Sequence, residues 1–294
     1  MKKKNLKTLA ACLCLSCTLL TGTLPTQAAA RTSVSQTAKS SSTVTNKKTH
    51  SGKGQASSSS SGTWKTTKGR HYYYNARGKK IKGKVKIGSR YYFFDKNGIQ
   101  RYGWKKIKND YYFFRISTGT TGAYMLTSTT INGIALDASG RASKSSSNLR
   151  KLKLMTEANK IVENISRPGM NKMQRLRASF DYVKKQYTYY CWREFRNTQD
   201  WEKDFAEDMF FRGGRGDCVS YAAAFAYLAN AVGMKKVYVI CSGGHGWAEI
   251  GGKVYDPDWA LVSSVDSYFA MSYDLSGVNG RPMYRGNRLY VKKV

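Results

Sequence analysis

"GDCVSYAAAFAYLANAVG", residues 216–233, sets one cysteine, Cys218, between a glycine-rich approach and a long apolar run. The alanine-rich composition predicts a helix from Cys218 onward, and Gly233 supplies its stop. A helix begins with N–H groups that have no partner in the preceding turn, and its macrodipole favours negative charge there. A free thiol, with a pKa near ~8.5, is mostly protonated at neutral pH, and a helix N-terminus lowers that value. Cys218 is therefore either a small buried residue or a nucleophile.

A nucleophilic thiol needs a base, and the base needs a group that orients it. The chain has three histidines. His50 lies in a Ser/Thr-rich stretch and His71 in a repeated region, so His245 is the candidate. "KKVYVICSG" (235–243), "HGWAEIGG" (245–252) and "KVYDPDWAL" (253–261) read as three successive strands. The turn "IGGK" would set the second and third antiparallel, bringing Asp256 toward His245, with Asp258 as the fallback carboxylate. Upstream, "NLRKLKLMTEANKIVENI" and "MNKMQRLRASFDYVKKQYTYY" space apolar residues at three and four, as amphipathic helices do, and "SRPG" (166–169) breaks between them. "DFAEDMFFRGG" (204–214) reads as a connecting loop or the lining of a groove. Helices followed by an antiparallel sheet indicate an α+β domain over residues 147–294.

At "GDC", "HGW" and "DPDW", in that order, the chain resembles the transglutaminase-like superfamily. The resemblance implies a papain-like α+β fold with Cys218 as nucleophile, His245 as base and Asp256 as orienter. Trp247 and Trp259 would pack around the site. It implies thiolate attack on an amide carbonyl and a thioacyl intermediate. Water would then give a peptidase or amidase, and an amine a cross-linking transglutaminase. No metal or other cofactor is expected. "DCVSY" (217–221) also has the acid-before-cysteine order of the NlpC/P60 wall peptidases. A non-catalytic domain that only recognises peptides is the contrasting reading.

Residues 63–143 repeat. "HYYYNARGKKIKG", "RYYFFDKNGIQRYG" and "DYYFFRISTGTTGAY" recur with a step of 20 at Tyr74, Phe94 and Phe114, and "INGIALDASGRAS" is a degenerate fourth copy. Each reads as a β-hairpin, and stacked hairpins bury aromatics that one alone cannot, which suggests a β-hairpin solenoid. "GWKKIKNDYYFF" (103–114) resembles the choline-binding or glucan-binding wall repeats of Gram-positive surface proteins. The resemblance implies aromatic cages for a quaternary ammonium, with Trp64, Tyr73, Tyr92, Trp104 and Tyr112 as members. The same rings could simply form the hairpin core. Val85 occupies the position where the second copy would carry its tryptophan.

The formal charge is +32, and residues 1–149 hold 27 of the 50 basic side chains but only 3 of the 18 acidic ones. That excess points to an anionic partner such as teichoic acid, alongside glucan, peptidoglycan or a choline-bearing polymer; nucleic acid is not expected. Residues 1–30 read as a signal peptide, with Lys2, Lys3, Lys4 and Lys7 before an apolar core and Ala28–Ala30 at its end. Residues 31–62 read as a flexible Ser/Thr-rich linker. Nothing later approaches the ~20 apolar residues of a membrane span. The expected location is extracellular and wall-associated. Outside the leader, Cys191, Cys218 and Cys241 leave an odd thiol; either Cys191 pairs with Cys241 or all three stay reduced.

Overall fold

In the repeated region two-residue turns join the paired strands, and each of the first three hairpins carries an aromatic strand. The computed structural model describes residues 62–117, 119–263 and 268–294. The expected signal peptide and, apart from Gly62, the expected linker lie outside the described residues. Strands β1 (Gly62–Thr67) and β2 (Arg70–Asn75) pair antiparallel, with Trp64 opposite Tyr73. Strands β3 (Gly83–Ile87) and β4 (Arg90–Phe94) follow, with β5 (Gln100–Arg101) added beside β4. Then come β6 (Gly103–Ile107) with β7 (Asp110–Phe114), and β8 (Thr129–Ile131) with β9 (Ile134–Leu136). Asn132 and Gly133 both have positive φ, 53° and 77°, the backbone of a tight turn whose twist suits a hairpin.

The copies share a second device. Asn75, Asp95 and Asp137 each use one side-chain oxygen to accept from the backbone N–H groups two and four residues on. The glycine three residues after each, Gly78, Gly98 or Gly140, has φ between 72° and 79°. This Asx turn redirects the chain toward the next hairpin, and it gives the repeat its physical basis. The hairpins lie in separate small sheets, none of them closed. Trp64 joins the first two through Tyr73, Tyr92 and Phe94. The later hairpins behave differently. Trp104, Tyr111, Phe113, Ile134 and Leu136 pack in the same core as the helices that follow.

Helix α1 (Ser146–Ile165) is capped by Ser145, and α2 (Lys172–Gln186) by a reciprocal Asn171–Gln174 box. Strand β10 (Thr188–Tyr189) pairs in parallel with β11 (Arg215–Gly216), which leads into helix α4 (Cys218–Val232). The stretch read as a loop or groove lining is helix α3 (Trp201–Phe210). Trp201, Phe205, Ala206 and Met209 form one buried stripe against α4, at a spacing that the intervening acidic residues obscure. Helix α4 ends at Gly233, φ 92°, and nearly every residue of it is buried.

The sheet runs β14 (Lys253–Tyr255), β13 (Gly246–Ile250), β12 (Val237–Cys241), β15 (Tyr290–Lys293), antiparallel throughout. Its fourth strand comes from the C-terminal tail. Helix α5 (Trp259–Val262) follows β14. No disulfide joins the three described cysteines: Cys191 is exposed, Cys218 half-buried and Cys241 buried. No helix among the described residues is long and apolar enough to cross a membrane.

Candidate active site

Cys218 is the first residue of α4. Asp217 caps the helix, its Oδ1 accepting from the Ser220 N–H at 3.0 Å. Gly216 has no room for a side chain, because a Cβ there would lie 2.4 Å from the Ser220 side chain. The glycine of "GDC" is thus a packing requirement of the approach to the helix. Among the described residues the backbone N–H of Cys218 has no partner, so a donor stays open beside the sulfur.

His245 stands immediately before β13. Its backbone is fixed by a turn: the Ser242 N–H donates to the His245 carbonyl at 2.8 Å, and the His245 N–H donates to Ser242 Oγ at 3.1 Å. Gly246 then packs directly on the start of α4. A Cβ at that position would come within 2.7 Å of Val219 Cα, so the glycine of "HGW" allows the strand to approach the helix closely. The Gly246 N–H also favours the ionised form of the Cys218 sulfur.

Asp256 follows β14 and is wholly buried. Its Oδ2 lies 2.6 Å from His245 Nε2 and accepts from the Tyr284 hydroxyl at 2.7 Å, while Oδ1 accepts from the Trp259 N–H at 3.0 Å. With Nε2 held by Asp256, Nδ1 is the ring nitrogen left to face the thiol. Trp247, Trp259 and Tyr284 surround the imidazole at centroid distances of 6.2, 6.3 and 6.1 Å. Cys218 Sγ, a His245 ring nitrogen and an Asp258 carboxylate oxygen all lie within 4.8 Å of one another. Among the described residues this is the one Cys/His/carboxylate group close enough to hold a metal ion.

The electrostatics differ from the expectation at Cys218. Burial, followed by the Asp217, Asp258 and Asp256 carboxylates, pushes its pKa above the ordinary thiol value, against the Gly246 N–H. The helix terminus alone would lower it; the surrounding carboxylates reverse the sign. Burial works against a charged His245, but the Asp256 charge and hydrogen bond outweigh it and hold the imidazole pKa above its usual value. Burial and the carboxylates thus oppose a standing thiolate, while Asp256 strengthens the imidazole as a base. Asp258 is pushed up to about 7, by burial first and then by the neighbouring Asp256 charge.

The structure thus brings Cys218, His245, Asp256 and Asp258 together. Tyr284 has no local sequence signal, lying 28 residues beyond Asp256 in an irregular tail. Tyr189 likewise has no local sequence signal. Parallel pairing sets it opposite Gly216, and the Cys218, Asp258 and Asp217 charges add to burial in raising its phenol pKa.

Of the five candidate wall-ligand aromatics, Trp64, Tyr73 and Tyr92 form one cluster, Trp64 lying 5.2 and 5.1 Å from the other two rings, edge to face. These rings touch one another. Trp104 lies in the helical core, its indole N–H donating to Asn132 Oδ1 at 3.2 Å. Tyr112 belongs to a third cluster with Phe114 and Met125, and the Lys84 ammonium sits 4.0 Å from its ring centroid.

Cys218 at the start of α4, with His245 and Asp256 at the ends of neighbouring antiparallel strands, forms a cysteine–histidine–aspartate group. The family model described as Transglutaminase-like superfamily matches residues 159–262, and this part of the chain is a transglutaminase-like domain. No curated protein matches the chain. Among solved structures, the choline binding domain of Spr1274 from Streptococcus pneumoniae is similar at 24% identity and a TM-score of 0.24, over 28% of this chain and 93% of that one. Choline binding protein F from the same organism, crystallised with a peptidoglycan analogue, is similar at 22% identity and 0.25, over 28% of this chain and 26% of that one. The modular Cpl-1 endolysin, complexed with a peptidoglycan analogue, is similar at 22% and 0.26, over 30% and 26%. The chain thus spans about a quarter of the length of these last two proteins.

Proposed function

We propose that the chain is an exported, cell-wall-associated cysteine enzyme that hydrolyses amide bonds of peptides or wall cross-links. The observation that supports this most is the 2.6 Å contact of His245 Nε2 with buried Asp256, beside a thiol at the mouth of α4. In this reading the carboxylate orients the ring and stabilises the imidazolium, leaving Nδ1 to take the Cys218 proton as sulfur attacks the carbonyl. Moving the proton as the bond forms suits a site in which burial and carboxylates oppose a standing thiolate. The tetrahedral oxyanion is received by the Cys218 N–H, the open donor of the helix terminus. His245 then returns the proton to the leaving amine, giving a thioester on Cys218. Water, deprotonated by His245, releases the acid and restores the thiol; an amine entering instead would give transamidation.

Wall association rests on the basic, aromatic hairpins, which would hold the thiol site near polymer-bound substrate and raise its effective concentration there. Incubating the chain with peptide amides and with isolated wall peptides tests the reading. We expect release of amine with a transient acyl adduct on Cys218, and neither with Cys218→Ala. A folded wild-type chain that binds walls but forms no adduct would make it a non-catalytic wall protein.

A further inference from the structure

A cleft of about 690 Å³ opens where the hairpins meet the helices. Its wall is formed by the β1–β2 turn, the residues between β4 and β6, and the turn between α1 and α2. The two sides are in direct contact: a Cβ at Gly69, at the tip of the first hairpin, would lie 2.7 Å from the Pro168 ring. None of the lining residues belongs to the thiol site.

The charge of this cleft is unbalanced. Arg70, Arg101, Arg167 and Arg175 line it, with Glu163 as its one carboxylate. Glu163 is held by Lys105 at 2.6 Å, and Arg101 is held by Asp95 at 2.7 Å. Arg70, Arg167 and Arg175 have no carboxylate partner among the described residues. Arg175 is only 7% exposed, so its guanidinium has lost most of its hydration. One nitrogen, Nη1, donates to the Tyr102 hydroxyl at 2.6 Å, but Nε is buried with no acceptor. Ser166 Oγ, on the same wall, is also buried without a partner. A desolvated guanidinium with no counter-charge is costly, and buried polar groups nearly always have partners. Both unpartnered groups belong to residues that line the same basic wall. The 15-residue helix α2 begins at the rim, its cap Asn171 and its residue Arg175 both lining the cleft.

We infer that this cleft binds a phosphate group, gripped by Arg175 and Ser166 at its base and by Arg70 and Arg167 at its mouth. A guanidinium fork matches the spacing of phosphate oxygens, and a tetrahedral anion offers enough acceptors to serve several donors at once. The volume exceeds what one phosphate fills, so the ligand is either free phosphate or one unit of a longer polyol-phosphate chain. The second source rests on the wall-association reading; phosphate binding itself does not.

Calorimetric titration of the full chain with inorganic phosphate and with a soluble glycerol-phosphate trimer tests this at low salt. Both probes should bind saturably to the wild type. Affinity should fall at least about ten-fold in Arg70→Gln/Arg167→Gln, and several-fold in Ser166→Ala, three surface or small changes that spare the buried arginine. Lys153→Gln/Lys185→Gln removes two exposed charges elsewhere and should leave affinity within about two-fold. A trimer that binds about ten-fold tighter than phosphate assigns the cleft to a polymer, and equal affinity assigns it to the free ion. Absence of saturable binding by the wild type, or equal losses in both double variants, overturns the proposal. Unchanged amide turnover with the cleft emptied would separate its failure from that of the enzyme reading.

Discussion

The hydroxyl of Tyr284 donates at 2.7 Å to Asp256 Oδ2, the same oxygen that lies 2.6 Å from His245 Nε2. Both Tyr284 and Asp256 are fully buried, so the tail beyond α5 fixes the carboxylate on which the imidazole depends. Tyr284→Phe removes that donor and keeps the ring. Hydrogen bonds to charged groups contribute about 1.5–3 kcal/mol, so thermal denaturation should show a loss of that order. Turnover should fall about ten-fold through kcat, with KM little changed, since Tyr284 lies behind Asp256 and away from the thiol.

Gly246 sets the distance between the strand that presents His245 and the helix that presents Cys218. In Gly246→Ala the new methyl meets Val219 at under 3 Å, so β13 must shift away from α4. Displacement by about 1 Å costs on the order of a hundred-fold in rate. Circular dichroism should report an intact fold while amide turnover falls by one to two powers of ten. Wild-type turnover in this variant would mean that the close approach does not matter.

Asp258 gives the site a pH dependence of defined sign. Its carboxyl titrates at about 7 when folded, well above the ordinary aspartate value of 3.8. The unfolded chain therefore loses this proton first, and Asp258 reduces stability progressively as pH rises from about 4 to about 7. Asp258→Asn should flatten that part of the stability–pH curve, as read by denaturant titration. It also removes one of the negative charges that raise the Cys218 pKa, so alkylation of Cys218 should shift to lower pH.

Lys105 on β6 and Glu163 on α1 form an ion pair at 2.6 Å with both side chains largely buried. Removing either partner leaves a buried charge uncompensated, at a cost of about 3–5 kcal/mol. Lys105→Met alone should destabilise the chain by that order, and adding Glu163→Leu should recover most of it in a double-mutant cycle. The third hairpin is then part of the helical core. Removal of the first two hairpins should leave cooperative unfolding intact, whereas removal through residue 143 should uncover the core around Trp104.

What the sequence disclosed depended on whether the signal was local. The hairpins were legible because the aromatic strands recur every 20 residues at Tyr74, Phe94 and Phe114, and the Asx–glycine turns at Asn75, Asp95 and Asp137 each close on themselves. The start of α4 and the strands after it were legible because "GDC", "HGW" and "DPDW" join each polar residue to its structural context. Helix α3 was not, because Glu202, Asp204, Glu207 and Asp208 mask the stripe of Trp201, Phe205 and Met209. Neither were β15 and Tyr284, whose partners lie tens of residues away. The sign at Cys218 was missed for the same reason: the helix terminus is a local effect, whereas the opposing carboxylates are assembled by the fold.

The most direct test is the rate of Cys218 alkylation by iodoacetamide from about pH 4 to 9, in wild type and His245→Ala. Site-resolved mass spectrometry separates Cys218 from Cys191 and Cys241. A coupled thiol and imidazole should label at least about ten-fold faster at neutral pH in the wild type, with the variant reactive only above the ordinary thiol range near ~8.5. Superimposable profiles would contradict the proposal, because His245 would then have no hold on the Cys218 proton.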